Sequence, residues 1–292
     1  MSNGLEMKLL LVRHAQSENN KLQNSIQQLV ILGKKNAAEA KLEWMEVRQA
    51  DPKLSVEGRE QAKMLGMRIK RLIRKHERKG GSVRIMVSPM LRALETASFV
   101  LGPSKKMAQV RTELAEVGGV YSTSKVTQGG VPFIEKRPGK ALSKQSIEAN
   151  FPAMFDTSML VDEGPWDAGR GFESITQSIT RSNKLCAWLR SPGMHQEFGP
   201  KDMLVLISHS DLLALLQSTL SGNNVEDYLD NPDLSGSYSR RYGKKGELPN
   251  DSNVFVAFKT SPAATTLLDV PPQGVPQVVW RNQMSPSGTY FT

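Results

Sequence analysis

The chain has 292 residues, of which 39% are hydrophobic and 23% charged; it is too apolar for a disordered polymer, too polar for a membrane protein, and long enough for one large domain or two ordinary ones. Its 38 basic and 29 acidic residues give a formal charge of +9, a field that favours anionic substrates and equally non-specific contact with nucleic acid or acidic lipid, so charge selects no partner by itself. No apolar run reaches the roughly 18 residues that a membrane span requires, and a lone cysteine, Cys186, excludes an internal disulfide and a zinc cluster.

Met7 to Val12 is a short apolar run ending in Arg13-His14, read as a buried strand that delivers those side chains to its C-terminal edge. No small-residue cleavage site follows it, and with the single cysteine this gives the expectation of an intracellular, cytoplasmic protein. Ile26 to Val47 has helical character. Ser55 is the expected N-cap of a long helix whose stripe of Ala62, Leu65, Ile69, Leu72 and Ile73 faces a core. The other face carries Arg68, Lys70, Arg71, Arg74, Lys75, Arg78 and Lys79; a solvated face is expected there in preference to a nucleic-acid patch. Gly80-Gly81 ends that helix.

Val83 to Val87 is a second strand, followed by Ser88-Pro89 and by Leu91, Leu94, Ala97 and Phe99 at roughly helical spacing, with Pro89 expected in the first helical turn. From Gly118 to Gly171 the composition shifts to Gly, Pro, Ser and Lys, which reads as loops and short helices above the sheet. Helical spacing returns from Glu173 to Leu189, where Cys186 is expected to pack. Met203 to Ile207 is a third strand, ending in Ser208-His209 before the helix-like Leu212, Leu213, Leu215 and Leu216. A mobile loop is expected at about 221–252, then strands around Val254, Val256 and Phe258 and at Thr265 to Val270. Three strand-then-helix units imply an α/β three-layer sandwich, a mostly parallel central sheet flanked by helices. A single catalytic domain over residues 1–292 is expected, with insertions at about 24–52 and 118–171.

Arg13, His14, Arg92 and His209 all fall at the carboxyl ends of such strands, where open α/β sheets bind ligands and helix N-termini point N–H groups at anions. His76 and His195, by contrast, lie in polar sequence surroundings. A phosphoryl-transfer site needs cationic groups to hold an oxyanion, a nucleophile and a proton donor.

Leu9-Leu10-Leu11-Val12-Arg13-His14-Ala15-Gln16-Ser17-Glu18-Asn19-Asn20 resembles the signature of the histidine phosphatase superfamily, also called the phosphoglycerate mutase-like family. Leu54-Ser55 with Gly58, Gln61 and Ala62, then Ser88-Pro89 with Arg92-Ala93 and Glu95-Thr96-Ala97, then Gly171 with Glu173-Ser174, and last Ser208-His209, resemble its later blocks in order. The resemblance covers about residues 7 to 260 and implies the phosphoglycerate mutase-like fold. It implies His14 as a nucleophile that forms a phosphohistidine, with a backbone carbonyl holding its other ring N–H. Arg13 and Arg92 are implied as the phosphoryl clamp, His209 as the completion of a cationic pocket, Asn20 as a further phosphate-contacting amide, and the backbone at Ser210 as a donor. The proton donor is Glu116 or Glu113, and Leu114-Ala115-Glu116-Val117-Gly118-Gly119 favours Glu116. Glu173 reads as an anchor for its helix.

Two positions depart from the family's pattern: Ala15 and Ser210 stand where it usually has glycine, which would penalise a positive φ. The two insertions are expected to cap the substrate pocket. A metal-independent, cofactor-free phosphatase acting on a phosphorylated small molecule or phosphoprotein is the favoured function. A phosphoglycerate mutase and a catalytically weak phosphate-recognition module remain as alternatives, and specific nucleic-acid binding is not expected. Arginines beside both histidines would repel a metal ion. A homodimer is compatible with the sequence, which does not specify the oligomeric state.

Overall fold

A computed structural model describes residues 7–103, 106–128, 131–199, 201–222 and 262–283. Three parallel strands form its centre: β1 (Met7–Arg13), β2 (Val83–Val87) and β7 (Met203–Ser208), whose numbers follow chain order. β3 (Ala108–Val110) and the two-residue β6 (Phe155–Asp156) extend the parallel part, while β8 (Thr265–Val270) and β9 (Gln277–Gln283) add antiparallel strands at the other side. The spatial order is β6-β3-β2-β7-β1-β8-β9.

Continuous apolar runs suit strands buried on both faces. Leu10, Val12, Ile85, Val87, Val205 and Ile207 pack on one face against α3 (Val56–Glu77) and α4 (Leu91–Leu101). Leu9, Leu11, Met86, Leu204 and Leu206 pack on the other against α6 (Ile175–Leu189) and α8 (Ser210–Leu220). Cys186 is buried in this second layer, as a packing residue. The expected three-layer α/β sandwich is therefore the observed fold. Exposed Arg71, Arg74, Lys75, Arg78 and Lys79 line the solvated side of α3, which ends at Glu77 before Gly80, at φ +78°.

Register fixes the site. Val12 pairs with Ile207, Arg13 with Ser208 and Val87 with Ile207. The same level is continued by His14 N–H to Ser208 O at 2.9 Å and Ser88 N–H to Ile207 O at 3.0 Å. Three strands thus stop together, and the residues just past them share one edge.

Three expectations need correction. Gly118 to Gly171 holds an antiparallel hairpin, β4 (Tyr121–Gln128) with β5 (Val131–Pro138), besides the short α5 (Lys144–Asn150) and strand β6. Its strands escaped notice because a two-stranded ribbon with both faces largely polar carries no apolar alternation. Pro89 lies before the first turn of α4, not in it, since Met90 is the N-cap. His195, whose polar sequence surroundings read as surface, is buried at 7% exposure. Most of the 221–252 loop and the strand around Val254 to Phe258 lie outside the described residues.

The segment expected as the first insertion, about 24–52, holds the latter part of α1 (Glu18–Ile31) and all of α2 (Ala37–Val47), joined by a small cluster of Ile26, Ala40 and Trp44. The hydroxyl of Thr123 in β4 donates to Met45 O, so the hairpin touches α2.

Candidate active site

The turn after β1 is held from below by α3 and α4. Ser55 caps α3 by accepting from Gly58 N–H at 2.9 Å, and its hydroxyl donates to Gln16 Oε1 at 2.7 Å. Ser55 N–H donates to Gln16 O at 3.0 Å, and Gln16 N–H donates to Gln61 Oε1 at 3.0 Å. Gly58 is required by close approach, because a Cβ there would stand 1.9 Å from the carbonyl oxygen of Gln16. Ala15 N–H donates to Thr96 Oγ1 at 3.1 Å. The motif blocks therefore work as mutual backbone supports. Neither Ala15 nor Ser210 has a positive φ, so the two missing glycines strain nothing.

His14 is buried, and its Nδ1–H donates to Ala15 O at 2.6 Å. A carbonyl can only accept, so this bond fixes the tautomer and leaves Nε2 with a lone pair. Arg92 Nε–H donates to that lone pair at 3.2 Å. Burial, then Arg92 and Arg13, push the ring's pKa well below its ordinary value against the pull of the Ala15 carbonyl. The lowered pKa favours a neutral His14 ring with its lone pair on Nε2.

His209 lies beside it, with ring centroids 5.0 Å apart and tilted by 59°. Burial, Arg92, His14, Arg13 and Arg181 all lower its pKa. The resemblance implied His209 as the completion of a cationic pocket; the lowered pKa favours its neutral ring, beside the charged Arg13 and Arg92. Its Nε2 is 2.7 Å from Ser88 Oγ, which itself accepts from Met90 N–H at 3.3 Å. The hydroxyl, with one proton and two lone pairs, can donate to Nε2, and in that arrangement the imidazole proton is on Nδ1. Among the described residues Nδ1 is buried with no hydrogen-bond partner, and with the proton on it this nitrogen is a donor suited to an anionic oxygen.

Arg92 also pairs with Asp51, Nη1 to Oδ1 at 3.4 Å, and Asp51 accepts from Leu91 N–H at 3.1 Å. Met90 supplies no side-chain cap, so Asp51, arriving from the first insertion, caps α4 and faces the arginine. Burial raises its pKa to about 6, with Arg92 and the Leu91 N–H opposing. Asp51 was not singled out in the sequence, because its meaning depends on contacts about 40 positions away.

Glu116 is the better placed of the two candidate acids. Its Oε1 accepts from Val117 N–H at 2.9 Å and Leu212 N–H at 3.1 Å, so it caps α8 immediately after His209. Burial and nearby Asp211 raise its pKa to about 7, while Arg92 and the two backbone donors lower it. Glu113 is instead an ion-pair partner of Arg111 at 3.0 Å, and although burial would raise its carboxyl, that arginine holds it below the ordinary value. Arg181, also missed in the sequence, grips this loop: Nη1 donates to Glu113 O at 2.7 Å and Ala115 O at 2.9 Å, and Nη2 to Glu116 O at 3.3 Å. Glu173 holds Arg181 in turn, at 2.9 and 2.6 Å, and accepts from Ser178 Oγ at 2.7 Å. The anchoring role expected for Glu173 is what its contacts provide.

Asn20 occupies the third position of α1 and closes a capping box, with Oδ1 accepting from Ser17 N–H at 3.1 Å. Only its amide nitrogen is then suited to a ligand oxygen. Ser210 begins α8 directly after His209, where its N–H is one of the orphan donors of the helix end. Among the described residues, no group of three or more His, Cys, Asp or Glu side chains is arranged to hold a metal ion, and no helix is long and apolar enough to cross a membrane.

Residues 9–125 match the family model of the histidine phosphatase superfamily (branch 1). The chain is similar to that superfamily over this segment, which is less than half of its length. Its fold is shared with mycobacterial hydrolase 1 (18% identity over 96% of this chain and 99% of that one, TM-score 0.51) and mycobacterial hydrolase 2 (18%, 98% and 94%, 0.51). It is also shared with the alpha-ribazole phosphatase from Shigella flexneri (14%, 95% and 96%, 0.50). No curated protein sequence matches the chain.

Proposed function

We propose that this protein is a metal-independent phosphatase that hydrolyses a phosphomonoester through a phosphohistidine on His14. The observation that carries the reading is the His14 ring: neutral, tied through Nδ1 to Ala15 O, with Nε2 presented to Arg92. A phosphoryl dianion entering between His14 and His209 meets the forks of Arg13 and Arg92, the Nδ1–H of His209 and the N–H at Ser210. His14 Nε2 attacks phosphorus, and the ester P–O bond breaks as Glu116 gives its proton to the departing oxygen. Glu116, now a carboxylate, takes a proton from water as that water attacks phosphorus. The P–N bond breaks, and neutral His14 and inorganic phosphate are restored.

A carboxyl group with a pKa raised to about 7 suits both halves of this cycle near neutrality. The substrate is a phosphorylated small molecule or a phosphoprotein. Residues 1–292 form one catalytic domain in this reading, with the segments 24–52 and 118–171 as its cap. The buried lone Cys186 fits a reducing, cytoplasmic setting.

The test is hydrolysis of a panel of phosphorylated metabolites and phosphopeptides by wild type and His14→Ala, with acid quench to trap an acid-labile phosphoenzyme. A loss of at least about 10³-fold is expected on His14→Ala. Activity within a few fold of wild type would refute the nucleophile. Isomerisation of 3-phosphoglycerate faster than its hydrolysis would favour a mutase, and phosphate binding without a phosphoenzyme would favour a recognition module.

A further inference from the structure

We infer that the C-terminal half of α3 is a docking surface for a membrane of acidic phospholipids, at the end of the fold opposite the catalytic edge. Between Met64 and Lys79 the chain carries seven lysines and arginines and a single acid, Glu77. That acid is already engaged by Lys106. Arg71, Arg74, Lys75, Arg78 and Lys79 are all exposed, and among the described residues none of them enters an ion pair.

Helical spacing gathers these cations on one ridge. Arg71 with Arg74 and Lys75, and Arg74 with Arg78, are like charges three or four residues apart, which weakens a helix. The helix C-terminus attracts Arg74 and Lys75 in its last turn, but Arg71 lies before that turn. An anionic plane relieves the repulsion across the whole ridge. The opposite face of α3 is locked in the core through Ala62, Leu65, Ile69 and Ile73, so the ridge is held in place before anything binds. Nucleic acid is the poorer match. With only its outer face free, α3 cannot enter a duplex groove, and it holds no Phe, Tyr or Trp on which a base would stack. Met67, 56% exposed and four residues before Arg71 on the same ridge, is instead an apolar side chain suited to a headgroup layer.

The ridge is remote from the His14 turn. α3 starts at the catalytic edge, where its cap Ser55 is bonded to Gln16, and runs away from it; at 1.5 Å per residue, Arg71 lies roughly 24 Å along the axis from Ser55. Just past the helix, Ser82 O accepts from Met203 N–H at 2.9 Å, at the start of β7 and so at the edge of the sheet opposite Ser208. A bilayer held there lies away from the pocket, and the inference does not depend on the phosphatase reading. The anionic leaflet that faces a cytoplasm has the required charge.

The experiment is co-sedimentation of the full chain with vesicles of phosphatidylcholine, alone or with about one-third phosphatidylserine, at about 0.1 M salt. Wild type is expected to sediment with the acidic vesicles only. Each basic residue near an anionic surface strengthens binding about fivefold, so the quadruple change Arg71→Gln, Arg74→Gln, Lys75→Gln and Arg78→Gln should weaken it about 10²- to 10³-fold, and the pair Arg71→Gln with Arg78→Gln about 25-fold. Glutamine is a good helix former, and with the like-charge repulsion gone both variants should melt no lower than wild type. Removing four exposed lysines elsewhere, Lys21, Lys41, Lys53 and Lys184, should cost less than about tenfold, since screening confines the attraction to charges near the bilayer. Equal losses in the two quadruple variants, no binding of wild type to acidic vesicles, or equal binding to neutral ones overturns the surface. Tighter binding to a single- or double-stranded oligonucleotide than to acidic vesicles, lost in the same α3 variants, overturns it in favour of nucleic acid.

Discussion

Glu116→Gln separates the two consequences of burying an acid beside the proposed phosphoryl site. The side chain's pKa rises from an ordinary 4.5 to about 7, a difference of about 2.5 that corresponds to about 3 kcal/mol for a fully buried group. The sign follows from proton binding. Below pH 4.5 the folded and unfolded chains both hold the proton; between 4.5 and about 7 the unfolded chain releases it first, so stability falls as pH rises, and the loss is complete above the folded value. Glutamine has no proton to lose and keeps an oxygen for the N–H groups of Val117 and Leu212. Melting curves at pH 4.5 and 8.5 should therefore show the variant gaining on wild type by about 3 kcal/mol at the higher pH, roughly 6–12 °C for a chain of this size. Catalysis should move the opposite way. Hydrolysis of an alkyl phosphate, whose leaving oxygen needs a proton, should fall about 10²- to 10⁴-fold, an aryl phosphate should lose far less, and the decline of wild-type activity above pH 7 should vanish. An unchanged alkaline limb in the variant, or no differential in melting temperature, would refute Glu116 as the buried acid.

Arg181→Met should lower kcat on the alkyl phosphate about tenfold with little change in KM and should displace the same alkaline limb, since it frees the loop that carries Glu116; pH profiles on alkyl and aryl substrates check this. Asp51→Ala should cost about 1 kcal/mol of stability by uncapping α4, with Asp51→Asn largely restoring it, as read by denaturant unfolding. Gly58→Ala should destabilise by several kcal/mol, because the added carbon meets a backbone oxygen at 1.9 Å that only a shift of the His14 turn can relieve. Incubation with EDTA should leave hydrolysis within a few per cent of the untreated rate.

What was readable in the sequence is what local chemistry specifies. Apolar runs ending in Arg13-His14, Ser88 and Ser208-His209 marked β1, β2 and β7 because buried parallel strands need unbroken hydrophobicity, and three such ends in one sheet imply a common edge. Glu116 outranked Glu113 on its following glycines; Glu113 pairs with Arg111. Asp51 and Arg181 gave no signal, since each acts on residues 41 to 66 positions away, and an Asp and an Arg in polar surroundings read as surface. The β4–β5 hairpin was hidden for a related reason: its strands pair with each other over Ser, Thr and Lys, and no core selects their faces.

A proton donor must also survive having donated. The oxygen of Glu116 that meets Leu212 N–H sits on the electropositive start of α8, so in the proposed cycle the conjugate base is not stranded in an apolar wall once the leaving group departs. The helix that follows the second histidine thereby acts as a charge reservoir, and a lengthened or re-angled α8 would retune the enzyme's working pH without any change among the groups that touch phosphorus.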